Sequence, residues 1–306
     1  MFDYIVRRIL LTIPVLLGVA TLTFFLIHMV PGDPIDIMLG DQASNVDKTA
    51  LRAELGLDQP LGTQYKNFLL GLTRADLGKS LYSRQPVAKE IGERLPATME
   101  LAIVAVFISM LIGIPLGVLA SIKQYGPVDN SVLVGGLLGM SLPSFWTGPM
   151  MILIFSIYLD IFPVSGRGNI THVILPAVCL GLSLSAILMR MTRASMLEVN
   201  KEDYIRTAIS KGLPKHRVLF KHALRNALIP IITIVGLQFG ALLTGTVITE
   251  TIFDWPGIGS LFYEAIQQRN YPVVQGTVLF ISFIYVAVNL LTDLAYAAVN
   301  PKVRLS

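Results

Sequence analysis

Charge is scarce in this chain. Asp, Glu, Lys and Arg make up only 14% of its 306 residues, where soluble domains carry about 25%. With 53% hydrophobic residues and a mean hydropathy of +0.65, so little charge cannot cover a surface in water. A water-soluble globular class is excluded, and the bilayer must be the solvent. Cysteine is nearly absent: Cys179 stands alone, so an intrachain disulfide is ruled out, and its place inside an apolar run makes it a packing residue. Histidine is confined to His28, His172, His216 and His222, never at metal-ligand spacing. Neither H-E-x-x-H nor G-x-S-x-G occurs. TRADLGKS, Thr73 to Ser80, ends like a phosphate-binding loop. That motif needs glycine where Thr73 stands, and no apolar strand leads into it. No catalytic set is left, which argues against an enzyme, intramembrane enzymes included.

Long apolar runs are what the chain does have. Ile9 to Val30 is enough to span a hydrocarbon core of roughly 30 Å at about 1.5 Å per residue. A cleaved signal has an apolar stretch of about 7–15 residues and a small-residue cleavage site. This run is longer and ends in His28-Met29-Val30-Pro31, so an uncleaved first span is expected. Hydropathy places five more spans near Ala97–Ile122, Ser131–Leu159, Val173–Met191, Leu228–Ile248 and Val273–Val299. The expected fold class is therefore an all-α polytopic membrane protein of six transmembrane helices. Residues 1–30 read as an N-terminal tail and first helix, and 31–95 as an extracytoplasmic insert. Residues 96–306 read as a five-helix core with a cytoplasmic loop at 192–227.

Sidedness follows from Lys and Arg. The termini and the loops after spans two and four hold Arg7, Arg8, Lys123, Lys302 and Arg304. They also hold the nine Lys and Arg from Arg190 to Arg225. The short loops on the other side hold only Arg167 and Arg269. Positive residues stay inside, so both termini are expected in the cytoplasm. The net charge of +4 is this bias rather than a nucleic-acid footprint.

The longest polar interruption of the C-terminal half is Glu202 to Pro230. Ile205, Ala208 and Ile209 fall on one face of a first short helix. Gly212 suits a left-handed stop, and Pro214 the first turn of a second helix. There Leu219, Phe220, Ala223, Leu224 and Ala227 make an apolar stripe, and Arg217, Lys221 and Arg225 a basic one. Such a pair is built to dock on another protein at the membrane surface.

This stretch resembles the EAA loop of ABC-importer permeases, in the variant of the dipeptide/oligopeptide (Dpp/Opp) "B" branch. The likeness rests on Y-x-R-T-A-x-x-K-G-L from Tyr204 and H-A-L-R-N-A-L-I-P from His222. It departs from the general pattern, with Arg206-Thr207-Ala208 for Glu-Ala-Ala and with His222 and Arg225 where Ile and Pro stand. It extends to V-R-R-I-L at Val6, P-G-D-P at Pro31, W-P-G-I-G at Trp255 and A-Y-A-A-V-N-P-K-V-R at Ala295, nearly the whole chain. The resemblance implies a type I ABC importer permease fold in the cytoplasmic membrane and a non-catalytic subunit that moves peptides or similar small solutes by alternating access. It implies a second permease, two ATPase subunits and an extracytoplasmic substrate-binding protein as partners. ATP and Mg would be used by the ATPases, with no cofactor on this chain. Tyr204, Arg206, Thr207, Ala208, Lys211, Gly212 and Leu213 would form the ATPase contact.

Several features keep two readings. The pairs Gly113/Gly117, Gly135/Gly139 and Gly236/Gly240 suit close helix packing, against a partner permease or within this chain. Asp293, inside the sixth span, reads as a proton or cation site or as a structural carboxylate; Glu100 sits near the outer end of span two. Pro115, Pro143, Pro149 and Pro176 are expected to kink spans. Glu250 to Pro272 reads as a short interfacial helix with Phe262, Ala265 and Ile266 on one face and Trp255 and Tyr263 as anchors. The rival function is an ion-coupled transporter acting alone, which would need midplane charges and two related halves.

Overall fold

The computed structural model describes residues 2–29, 34–39, 45–54, 56–244 and 246–299, and the side chains of all of these except 2–9, 11, 27, 34, 37, 38, 54 and 293–299. Asp293, with its two readings, lies outside the described side chains. Regular structure among the described residues is helical, apart from one isolated antiparallel bridge between Lys79 and Pro86.

In chain order the helices are α1 Phe2–Met29, α2 Pro34–Leu39, α3 Asn45–Glu54, α4 Leu61–Thr73, α5 Val87–Ile122 and α6 Pro127–Ser141. They continue as α7 Ser144–Tyr158, α8 Ile170–Val199, α9 Asp203–Ser210, α10 Lys215–Leu243, α11 Val247–Ile252, α12 Ile258–Gln267 and α13 Tyr271–Val299. Four of them, α5, α8, α10 and α13, are long and apolar enough to cross a membrane. The pair α6 and α7 meets the same test together but is bent by 97°. Helix α1 has 28 residues, with its described apolar stretch at Thr12–Leu26.

The span expected at Ser131–Leu159 is thus a broken one. Pro143 disfavours the α region for the residue before it. Leu142 accordingly sits at φ −82°, ψ 115°, and α7 restarts from Pro143. Pro115, Pro149 and Pro176 lie inside continuous helices instead. Helix α5 starts at Val87, well before the expected Ala97, because Val87 and Ile91 are buried in a core of their own. Its 36 residues amount to roughly 54 Å, well beyond a hydrocarbon core of about 30 Å. Helix α8 runs on to Val199 rather than stopping at Met191.

The chain divides into two compact units. The first comprises Met1–Thr98 and Pro256–Ile284. Its core joins Val87 and Ile91 to Leu261, Ala265, Val273 and Val274. Asn270, 4% exposed, accepts from the Leu81 backbone N–H at 3.1 Å and donates to Ser80 Oγ at 2.8 Å. Tyr82 donates to the Gln268 carbonyl at 2.7 Å, and burial pushes its phenol above the usual range. The Lys48 ammonium of α3, 2.9 Å from Asp36 of α2, holds that carboxyl below its usual range. The segment that imitates a phosphate loop turns at Gly78 (φ +82°), whose carbonyl accepts from the Val87 N–H at 3.0 Å.

Helix α12 buries Ile258, Leu261 and Ala265, whereas Ile266 is exposed. The inward face is therefore turned from the expected Phe262/Ala265/Ile266 stripe. Trp255 is no interfacial anchor: it belongs to the second unit and is 1% exposed.

The second unit comprises Met99–Trp255 and Tyr285–Ser306. Its organising contact is the close approach of α5 and α8. A Cβ on Gly113 would stand 2.8 Å from the Ser185 carbonyl oxygen, and one on Gly117 2.6 Å from that of Met189. Gly236 and Gly240 instead make room for the side chains of Thr292 and Val288. At these two pairs the small residues serve packing within the chain. Gly135 has no atom within 4 Å of an added Cβ, so its face is open. Cys179 is buried with Leu175 and Phe253, a packing residue as read.

The glycine contact yields a stability contrast. Gly117→Val overpacks the α5–α8 seam and should cost about 1–3 kcal/mol, whereas Gly135→Ala should be near neutral. Thermal unfolding of the purified variants in detergent checks this. Equal stability of Gly117→Val and wild type would contradict the seam.

Candidate functional site

The polar interruption folds as a short helix seated on α5, α8 and α10 of the second unit. Glu202 is extended, and α9 begins at Asp203, whose carboxylate suits the positive end of the helix dipole. Thr207 Oγ1 bonds back to the Asp203 carbonyl at 2.9 Å. At the other end Leu213 N–H donates to the Ala208 carbonyl (3.3 Å) and Gly212 N–H to that of Ile209 (2.9 Å). With Gly212 at φ +76° this is a Schellman stop. An added Cβ on Gly212 meets nothing within 4 Å, so the requirement for glycine is backbone conformation alone.

Ile205 (3% exposed) and Ala208 (6%) pack against Val118 of α5, Met196 of α8, and Val218, Ala223 and Ala227 of α10. Tyr204 Oη accepts from Asn226 at 2.9 Å, a second tie to α10. Helix α9 is thereby held by three membrane-crossing helices.

The second helix of the pair is not a separate one. Helix α10 starts at Lys215, directly after an extended Pro214, and runs unbroken into the fifth span. Residues Val218–Leu224 are wound as π-helix. The wider turn shifts the register, so Val218 joins the buried face and Phe220 is 60% exposed. Arg217, Lys221 and Arg225 are exposed, as the basic stripe requires.

Of the residues assigned to a partner contact, Tyr204, Arg206, Thr207, Lys211 and Gly212 are exposed, and Leu213 is half-buried. Ala208 faces the chain's own core. Ile209, grouped by periodicity with Ile205 and Ala208, is 61% exposed instead. Sequence reasoning missed Ile209 and Phe220 as exposed apolar groups, because one helical turn of pattern cannot separate adjacent faces. The Arg206–Asp203 pair at 3.7 Å is exposed on both sides and adds little.

The family model for the binding-protein-dependent transport system inner membrane component matches residues 113–305, and the model for the N-terminal part of such components matches 1–102. This chain belongs to that family. The permease is 44% identical to the dipeptide transport system permease protein DppB of Escherichia coli (strain K12), over 99% of each chain. It is 40% identical to the glutathione transport system permease protein GsiC of Pectobacterium atrosepticum, again over 99% of each. In fold it is similar to a chain of the inward-facing MetNI methionine ABC transporter, with a TM-score of 0.58 at 17% identity, over 69% of this chain and 96% of that one. The fold is that of a type I ABC importer permease, and the protein is a membrane subunit of such an importer.

Two ion pairs stiffen the permease's second unit. Towards the C-terminal end of α8 Arg193 grips Asp129 with two bonds, Nε–Oδ1 at 2.6 Å and Nη2–Oδ2 at 2.7 Å. The Asp129 side chain is 1% exposed and also accepts from the Tyr125 N–H at 2.8 Å. This clasp binds the turn after α5 to α8, one turn before Met196. At the other end of α8 the Arg167 guanidinium lies 2.7 Å from Glu100, and 6.0 Å over the Trp255 ring. The Asp129–Arg193 pair was invisible in the sequence, where Arg193 counted only as one cation among many.

Removing Arg193 leaves the buried Asp129 carboxylate without its counter-charge, at a cost of about 3–5 kcal/mol. Arg193→Ala should therefore lower the unfolding temperature sharply, while the double change Asp129→Leu with Arg193→Leu recovers most of the loss. A double variant as unstable as the single one would show that the two charges do not act as a pair.

Proposed function

We propose that the permease carries di- or oligopeptides, or similar small solutes, across the cytoplasmic membrane by alternating access. It works with a second homologous permease, two ABC ATPase subunits and an extracytoplasmic substrate-binding protein. Full-length likeness to dipeptide and glutathione permeases supports the solute class. Hydrolysis of ATP with Mg belongs to the ATPases, and this subunit is not an enzyme. The Lys and Arg bias supports cytoplasmic termini and a cytoplasmic 192–227 loop, and with them an extracytoplasmic 31–95 insert.

The single observation that carries the mechanism is the seating of α9. Its buried face rests on α5, α8 and α10, and its exposed face offers Tyr204, Arg206, Thr207 and Lys211 beside Ile209. The ATPase would close over that exposed face and over the Gly212–Leu213 turn. Ala208 supports the contact from behind. When the ATPases close on ATP, a helix bonded to three spans cannot move alone, so the spans follow. An ion-coupled transporter acting alone is disfavoured by membership of a binding-protein-dependent family.

Gly212→Val forces a β-branched residue into a left-handed position, at a strain of about 1–2 kcal/mol. The variant should insert and assemble, yet lose substrate-stimulated ATP hydrolysis in proteoliposomes. Ile209→Glu should weaken that stimulation by about tenfold, a loss of ~1.4 kcal/mol at the contact. Normal stimulation in both variants would remove α9 from the coupling.

A further inference from the structure

A cavity of about 250 Å³ in the first unit is lined by residues of α1, α4, the turn before α4, and the start of α13. Phe24, Phe68 and Tyr271 form aromatic walls, with the Phe24 and Phe68 ring centres 5.6 Å apart. Gln64, Asn67 and Gln275 bring amides to it. Among the described residues no Asp, Glu, Lys or Arg lines it; His28, at the rim, is held by the Phe24 carbonyl at 2.7 Å and contacts Gln64 Oε1 at 3.3 Å.

Gln275 is the informative residue. The residue as a whole is only 8% exposed, and its side chain lines the cavity. An amide that faces a cavity is open to bonds from an occupant. Gln64 is already used by the Gln59 carbonyl at 2.8 Å. Asn67 donates to Gln59 Oε1 at 3.3 Å and keeps its carbonyl oxygen as an acceptor. Gln275 brings two N–H donors and one acceptor. A peptide unit, with one N–H and one C=O, is the complement of this set. The aromatic walls suit a small apolar side chain. The volume is several times the roughly 30 Å³ of one water in the liquid and falls short of the roughly 300–1,000 Å³ of drug-sized sites, so it admits one or two amino-acid units.

We propose that this cavity is a peptide-backbone subsite of the permease, selective for the uncharged middle of a small peptide and indifferent to its charged ends. The subsite rests on the peptide-import reading, and lies at the outer ends of α1 and α13 under the sidedness given above.

The test uses the full-length permease assembled with its importer partners in lipid nanodiscs, without ATP or binding protein. Binding of N-acetyl-alanyl-alanine methylamide and of zwitterionic alanyl-alanine is followed by saturation-transfer NMR. The capped peptide should bind at least as tightly as the zwitterion. Gln275→Met should weaken it by about tenfold, the effect of losing a buried hydrogen bond, and Asn67→Leu, an exposed change that spares the core, by a smaller factor. Absence of capped-peptide binding to the wild type overturns the proposal. So does unchanged affinity in Asn67→Leu together with a folded Gln275→Met, or a zwitterion preference above about tenfold. Uptake into proteoliposomes separates the two ideas. Peptide uptake without capped-peptide binding defeats the subsite alone, and binding without uptake of any peptide defeats the import reading while the subsite stands.

Discussion

Everything in the second unit depends on how closely α5 and α8 approach. Glycines at 113 and 117 let the α5 backbone lie against α8 carbonyls, where any side chain would collide. In a bilayer there is no water to drive apolar surfaces together, so packing of this kind is a main source of helix affinity. The C-terminal ends of α5 and α8, thus paired, make the bed on which Ile205 and Ala208 rest. Loosen the seam and α9 has nothing firm beneath it.

The charged groups follow the same economy. An ionised side chain is costly in hydrocarbon, and two of this unit's described carboxylates meet cations near helix ends. Asp129 is buried and doubly bonded by Arg193; Glu100 meets Arg167. Arg193 lies in α8 and Arg167 three residues before its start, so each pair ties an end of α8 or the turn leading into it to a neighbour. A broken α6–α7 pair with a π-wound segment, and a second π-wound segment at the base of α10, supply non-ideal geometry beside these pins. Segments of that kind often mark functional regions of helices. Here one of them carries the middle of the basic stripe, with Lys221 inside Val218–Leu224 and Arg217 and Arg225 at its two borders.

The first unit is held differently. Asn270, Ser80, Leu81, Tyr82 and Gln268 are joined by hydrogen bonds spanning long distances in sequence. Its described part also holds a polar, aromatic-walled cavity. Polar specification of this sort suits a region in contact with water, whereas the second unit relies on apolar and glycine packing.

Much was legible in the residues alone. Low charge and long apolar runs determined the membrane class, because burial in lipid constrains composition over whole helices. Gly212 as a helix stop was equally readable, since backbone conformation is a local property. What the chain could not declare was which residues of one short turn face inward. Ile209 and Phe220 were grouped with buried neighbours, and a π-wound turn and the seating of α9 moved them outward. The continuity of α10 through Lys215–Leu224, the break at Pro143 within a seemingly single apolar run, and the Asp129–Arg193 grip likewise came from the tertiary structure. Each depends on which distant atoms meet, and the spacing of residues along a chain carries no record of that.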